Sequence, residues 1–373
     1  MLLADMFIRC TGLLLLTLSL ACGDDDSPSD AGGRSDAATA DSSAMLDGGP
    51  EDVPMDVPQD IPPDVPPDVF DAGPACEGPP GLYRLPRCTE LADGVRAYSP
   101  NYWLWSDGAD KERFISLPEG GLIDTSDPNN WIYPVGTRVW KTFLVGGLRI
   151  ETRLLEKYEE GAGFDSWNTQ TFAWNEEQDF VEEVVGGREN ALGTDHDIPS
   201  RGMCIQCHGQ TGRDDFLTSF TAIQLNHEDA GFSLAELNDE GWLSENISIR
   251  DAVIPGTPEE SEALGYLHAN CGNCHGNRGA PSGLSMWVDV GIDLVDETAT
   301  YITAVGAPSL RVDGDATVRI VPGDSGQSVA FRRMQSRMVG LQMPPIGTEF
   351  VDDDGSLVVQ TWIDGLTVTA AED

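Results

Sequence analysis

Hydrophobic and polar positions alternate over short runs between residues 76 and 193. Two such runs, at 138–145 and 148–154, are separated by Gly146-Gly147. Glycine supplies the positive φ that a tight turn needs, so this pattern predicts a β-hairpin. The second run alternates in a way that predicts one buried and one wet face. The side chains placed on its wet face are Arg149, Glu151 and Arg153.

The helical period replaces this alternation from residue 194 onward. Thr257, followed by Pro258 and by Glu260 three residues after the threonine, predicts the capped start of a helix. A second capping box begins at Ser233. The predicted fold is therefore α+β and multidomain, with an antiparallel β-sandwich-like domain before mainly α domains. The predicted domains are 76–193, which is β-rich, and two mainly α regions, 194–256 and 257–373, each of which contains one closely spaced pair of cysteines.

The amino-terminal residues 1–22 have the pattern of an export signal. Arg9 precedes an apolar run at 12–21 that is too short to span a bilayer and fits a signal peptide. Ala21-Cys22-Gly23 resembles a bacterial lipobox, which predicts lipidation of Cys22 and a lipid anchor in the membrane. Residues 23–75 are rich in Asp and Pro, which predicts a disordered tether. The alternative for Cys22 is ordinary signal cleavage nearby.

The charge of the chain restricts its partners. There are 63 acidic and 22 basic residues among 373, a formal net charge of -41. Nucleic acid is excluded as a partner, because its phosphate backbone requires a basic surface. The surface favours basic redox partners instead. Together with the export signal, this predicts a protein of the bacterial cell envelope, in the periplasm or at the outer membrane.

Two copies of the pattern C-x-x-C-H carry the candidate chemistry. The first copy is Cys204, Cys207 and His208, and the second is Cys271, Cys274 and His275. Two thiols at this spacing can each bond a vinyl group of one porphyrin, and the following histidine supplies an axial nitrogen to its iron. The sequence therefore predicts two covalently bound haem c groups. The alternatives are a four-cysteine zinc site and a redox-active dithiol.

The remaining cysteines predict a disulfide bond. Cys10 lies in the signal and Cys22 at the lipobox, which leaves Cys76 and Cys88 as neighbours in an exported chain. An oxidising compartment favours their pairing over two free thiols.

The carboxyl-terminal order of elements resembles that of a class I cytochrome c. A helix, a C-x-x-C-H motif, a connecting region, Met343-Pro344-Pro345 and a closing helix follow one another. In that family the loop methionine is the sixth ligand of iron, so the resemblance implies this role for Met343. Met334 and Met338 are rivals, although their predicted helix favours core packing for both.

The wider pattern resembles a family of exported di-haem cytochromes c of undetermined function. The resemblance covers about residues 80–370 and rests on both C-x-x-C-H motifs and on the Met-Pro-Pro segment. It extends to the segments 103–108, 151–155 and 322–324. It implies the fold and the haem content but no substrate.

The sixth ligand of haem one is left open by the sequence, because no methionine lies between the two motifs. His227 is the leading candidate, with His196, His268 or a methionine of the other haem domain as alternatives. With six-coordinate irons the protein is an electron carrier. An open iron at haem one would instead permit a di-haem peroxidase-like or small-ligand-binding enzyme. A third hypothesis makes the β-rich domain a partner-binding module with the haems as redox accessories.

Overall fold

The computed structural model describes residues 75–161, 163–209, 215, 217–228, 231–276 and 283–367. The predicted signal, the predicted lipid site Cys22 and the predicted tether up to residue 74 lie outside the described residues. All described residues belong to one unit, Phe70–Asp373.

A six-stranded antiparallel meander forms the main sheet, in which each strand pairs with the next one along the chain. The predicted hairpin is confirmed, and both residues of its Gly146-Gly147 turn have positive φ, 58° and 82°. The strands are β1 (Arg96–Tyr98), β2 (Asp110–Ser116), β3 (Arg138–Val145), β4 (Leu148–Lys157), β5 (Trp167–Trp174) and β6 (Val181–Glu183). A separate ribbon consists of β7 (Pro308–Asp313) and β8 (Ala316–Val318).

Seven α-helices follow the sheet in the described part of the chain. They are α1 (Cys204–His208), α2 (Ala222–Leu225), α3 (Leu234–Glu240), α4 (Pro258–Asn270), α5 (Ala299–Ala304), α6 (Val329–Gln335) and α7 (Asp353–Gly365). Both capping boxes are confirmed, because Ser233 and Thr257 each accept the expected backbone N–H. The protein is thus mixed α+β. None of these helices combines the length and the hydropathy that crossing a bilayer requires.

One face of the main sheet packs on the chain that precedes it. Phe114, Trp140 and Leu154 are buried there against Leu82 and Val95. The predicted disulfide is confirmed: Cys76 and Cys88 are bonded beside Trp174, with their Cα atoms 5.6 Å apart. This face is therefore covered by a short disulfide-closed segment rather than by a second sheet.

The other face of the main sheet, here called the motif face, is covered by the chain that follows it. Ile115, Val139 and Trp167 join one apolar core with buried residues of the segment 217–252. The prediction of a wet face on β4 was wrong, because Glu151 on that face is fully buried and Arg153 is half-buried. A β-strand alternation shows which residues share a face but not whether later chain covers it.

The second apolar core lies among the helices. Leu264 and Leu267 of α4 pack with Val359 and Trp362 of α7, and this core includes Met334. The core role predicted for Met334 is therefore confirmed. The same role was wrong for Met338, which lies beyond the end of α6 and is 67% exposed.

Candidate functional site

The first C-x-x-C-H motif forms the single short helix α1. Cys204, Cys207 and His208 are half-buried, whereas Ile205 and Gln206 between them are exposed. Positions i, i+3 and i+4 lie on one side of a helix, so the two thiols and the imidazole share one face. Gly209 follows at once, and a Cβ atom there would come within 2.5 Å of the Ile205 side chain.

The second motif continues α4 by one turn. Cys274 and His275 both donate their backbone N–H to the Cys271 carbonyl, at 3.1 and 2.8 Å. A Cβ atom on Gly272 would lie 2.6 Å from the His268 carbonyl oxygen, so only glycine fits this position of the motif. This turn therefore carries two cysteines and a histidine at the same spacing as α1.

The two motifs, far apart in sequence, meet in space. The thiols of Cys207 and Cys274 are hydrogen-bonded to each other, and Cys274 Sγ lies 3.5 Å from the Gln206 carbonyl oxygen. This hydrogen bond from Cys274, opposed by burial and assisted by the nearby Arg153 and Lys141 cations, lowers the pKa of Cys207 to about 7. The pKa of Cys274 is raised by the same contact.

The four cysteines are not gathered into a zinc set. Among the described residues, which include all four, no three His, Cys, Asp or Glu side chains are arranged to hold a metal ion. Burial raises the pKa of Cys271 to about 12 and also raises that of Cys204, so both remain thiols at neutral pH.

His275 has the protonation state that iron ligation needs. Burial, with the Arg319 cation as a second cause, lowers the pKa of His275 below its ordinary value. The imidazole is therefore neutral at pH 7, and a neutral ring nitrogen can bind iron. Its backbone carbonyl accepts a 2.7 Å hydrogen bond from the Met286 N–H, which fixes the turn.

The aromatic segment 102–108 joins the second motif to the loop of Met343. The side chain of Asn270, one residue before Cys271, accepts a hydrogen bond from the backbone N–H of Trp105 at 2.7 Å. It also donates to the backbone carbonyl of Trp103 at 3.0 Å. Asp107 Oδ1 accepts the N–H groups of Glu349 and Phe350, at 2.7 and 2.9 Å. Neither Asn270 nor Asp107 was predicted from the sequence as a site residue. Asp107 could have been found because it lies in the segment 103–108, which is part of the resemblance to the di-haem cytochromes.

Met343 lies in a loop that is tied to α6. Its N–H donates to the Arg333 carbonyl at 2.9 Å, and its side chain is half-buried. The hydrogen bonds that Asp107 accepts hold the later part of the same loop. The loop is thus held by hydrogen bonds at both ends.

Each candidate histidine for haem one already uses one ring nitrogen. His227 Nε2 donates to the Ser99 carbonyl at 2.7 Å, and His196 Nε2 lies 2.8 Å from Glu151 Oε1. His268 is fully buried against the ring of Trp287, and its Nδ1 accepts the Val288 N–H at 3.1 Å. An iron-bound histidine commonly donates its other nitrogen to a carbonyl, and the bond from His227 to Ser99 has this form.

The residues beside both motifs fit a covalently attached porphyrin. Each motif offers two thiols and an imidazole from one helical turn, which is the donor set that haem c uses. Two buried groups nearby, the Trp105 indole N–H and the Arg113 guanidinium, have no hydrogen-bond acceptor among the described residues. Buried donors are almost always paired in folded proteins, so these two indicate that an acceptor belongs there.

No model of a known protein family matches the chain, and neither a curated protein nor a solved structure matches it.

Proposed function

We propose that this chain is a di-haem c-type cytochrome that transfers electrons in the bacterial cell envelope, tethered there by a lipid on Cys22. The observation that carries the proposal is the contact between its two C-x-x-C-H motifs, in which Cys274 Sγ lies 3.5 Å from the carbonyl oxygen of Gln206. Two redox groups attached at touching motifs are close enough to exchange electrons directly. An acidic chain with a net charge of -41 suits basic redox partners.

The residues have separate roles in this proposal. Cys204 and Cys207 form the thioethers of haem one, and Cys271 and Cys274 form those of haem two. The other two residues of the motifs, His208 and His275, supply the proximal nitrogens. Met343 supplies the sixth ligand of haem two, as in the cytochrome c-like carboxyl-terminal part that the sequence predicts. When bound, the haems would supply reversible one-electron chemistry, and His/Met ligation would raise the potential of haem two.

Haem content and iron coordination test the proposal together. The full chain is matured with haem and its intact mass and pyridine haemochrome spectrum are measured. Two covalent haems are expected, one haem after Cys204→Ala/Cys207→Ala and one after Cys271→Ala/Cys274→Ala. A chain that leaves the maturation system without covalent haem would overturn the proposal.

Visible and EPR spectra then separate carrier from enzyme. Two low-spin haems that ignore carbon monoxide and peroxide are expected for an electron carrier. A high-spin component that binds carbon monoxide and turns over peroxide would make haem one an open catalytic site. Its loss in Cys204→Ala/Cys207→Ala but not in the matched second-motif variant would assign that site to haem one.

A further inference from the structure

A row of basic side chains crosses the motif face of the sheet. Arg113 of β2 is the cross-strand partner of Lys141 of β3, and Lys141 is the partner of Arg153 of β4. Direct cross-strand partners lie on the same face, and neighbouring strands are about 4.8 Å apart. Lys111 lies two residues before Arg113 and therefore on the same face. Four of the 22 basic residues of an acidic chain are thus placed together.

This row carries more positive charge than its described partners neutralise. Arg153 is paired with Glu151 at 2.6 Å, and Glu151 also contacts His196. Arg113 is only 2% exposed, yet none of its three guanidinium nitrogens has a hydrogen-bond partner among the described residues. Its guanidinium lies 4.7 Å from the ring centre of Trp103, a contact that neutralises no charge. An unpaired buried cation is costly, so an anionic group is expected at Arg113.

The lowered pKa values of Lys141 and Arg113 also indicate an excess of positive charge in this row. Burial and three neighbouring cations lower the pKa of Lys141 well below its ordinary value. Burial likewise lowers the pKa of Arg113. The like charges therefore repel one another in a poorly solvated place, and an anion would relieve both effects.

The row starts at the first motif and leads away from it. Burial acts to lower the pKa of Arg153, but the Glu151 carboxylate outweighs it and raises that pKa. Cys204 and Cys207 also raise the pKa of Arg153, because both cysteines lie close to its guanidinium. Lys141 interacts with Cys207. Arg113 lies two strands from Arg153, roughly 10 Å away, a distance comparable with the width of a porphyrin.

We propose that Arg113, with Lys141, binds the carboxylate groups of the porphyrin attached at Cys204 and Cys207. This inference rests on the proposed function and adds the sheet to the haem one site. A porphyrin that is bonded to cysteines at one edge carries its two propionate carboxylates toward the opposite edge. A guanidinium forms paired hydrogen bonds with a carboxylate, and the ionised pair satisfies the buried charge. The same chemistry would also suit a free carboxylate ion, and the experiment separates the two sources.

The test compares Arg113→Met in two forms of the full chain. One form carries both haems, and the other is the Cys204→Ala/Cys207→Ala chain, which lacks haem one. In the loaded chain Arg113→Met leaves carboxylates without their cation, so the thermal midpoint should fall by a few degrees. In the chain without haem one the same substitution removes an unpaired buried charge, so the midpoint should rise.

A control arginine on the same sheet is Arg149 of β4, which is half-buried and is replaced in Arg149→Met. The Arg149 guanidinium stacks on Trp174 at 3.8 Å and donates to the carbonyls of Gln178 and Cys88. Arg149→Met should lower the midpoint in both forms, because its partners are the same with and without haem one. Lys141→Met is the second test variant if Arg113→Met does not fold, with the same opposite signs expected.

Acetate in place of chloride at constant ionic strength identifies the source of the carboxylate. Opposite signs of the Arg113→Met effect in the two forms, with a loaded chain that ignores acetate, would support the porphyrin as the source. The same sign in both forms, or no effect in the loaded chain, would overturn the inference. A loaded chain that acetate stabilises only when Arg113 is present would also overturn it, in favour of a free ion. Intact mass keeps these results apart from a failure of the proposed function, which would show no covalent haem.

Discussion

The two C-x-x-C-H motifs touch each other, yet their surroundings differ. The second extends α4, a helix of 13 residues with a capping box at Thr257 and an apolar core shared with α7. The first occupies α1, a helix of five residues, beside a sheet face that carries Arg113, Lys141 and Arg153. The second motif is supported by apolar packing and backbone hydrogen bonds. The first motif lies beside a row of charged side chains on the sheet.

This difference predicts that the two sites respond to different changes. An apolar core contains no titrating group, whereas the stability that buried charges contribute depends on pH. Substitutions at buried ionic groups should therefore act on the first motif and its surroundings. Substitutions in the hydrogen bonds of Asn270 and Asp107 should act on the second. Three changes, in order of decreasing effect, test that separation.

The largest effect is expected at Asp215, seven residues after His208. Asp215 is 3% exposed and accepts hydrogen bonds from Lys157 Nζ at 2.5 Å, Trp167 Nε1 at 2.5 Å and the Tyr133 N–H at 2.8 Å. These bonds fasten the chain that follows α1 to β4 and β5. Asp215→Asn leaves the buried Lys157 cation unpaired, which should lower the free energy of unfolding by about 3–5 kcal/mol. Urea denaturation measures this loss.

Removal of both charges is the control for this ion pair. The double variant Lys157→Met/Asp215→Leu has no buried charge left to neutralise and should recover much of the loss. Met343 should keep its spectral signature in both variants, because the Asp215 bonds lie on the sheet side. An Asp215→Asn chain as stable as the parent would show that the buried pair does not support the first site.

The second effect is a pH dependence at Lys111. Burial, with Arg113 as the next cause, lowers the pKa of Lys111 to about 8 from 10.5. Below pH 8 the side chain is charged in both the folded and the unfolded chain, so folding carries the full penalty. Between pH 8 and 10.5 the unfolded chain binds more protons, so stability rises with pH, by on the order of 3 kcal/mol. Unfolding free energies measured across this pH range should show the rise.

Lys111→Met should abolish that rise and should stabilise the chain at pH 7. The rise should be larger in the Cys204→Ala/Cys207→Ala chain than in the loaded chain, because bound carboxylates would stabilise charged Lys111. A pH profile that Lys111→Met leaves unchanged would place the titrating group elsewhere. In that case the motif face would not account for the charge sensitivity of the first site.

Much of the second site could be predicted from sequence because its determinants are local. Thr257, Pro258 and Glu260 define the start of α4 within four residues, and the motif follows on the same helix. The hairpin of β3 and β4 was predictable for the same reason, since its turn and its alternation are adjacent in the chain. The bonded pair Cys76–Cys88 is separated by only 12 positions and is equally local.

The surroundings of the first site could not be predicted, because they depend on pairings between distant residues. The row from Arg113 to Arg153 exists only once the register of three strands is known. Glu151 was placed on a wet face because its own strand carries no sign of the later chain that buries it. Asp107 also looks like an ordinary turn residue, and its partners at 349 and 350 lie in another part of the sequence.

The smallest of the three effects is expected at Asp107, and it should be confined to the second site. Asp107→Ala removes the acceptor for two backbone N–H groups, which should cost about 1–3 kcal/mol of unfolding free energy. The loop of Met343 would lose one of its two attachments, so the absorption band of a thioether bound to ferric iron should weaken. Asp124→Asn is the control, since Asp124 accepts the Ser126 N–H in an exposed turn and should change little. Weakening of the band with haem one unchanged would support separate responses of the two sites. An equal change at both haems would instead show that the touching motifs respond as one unit.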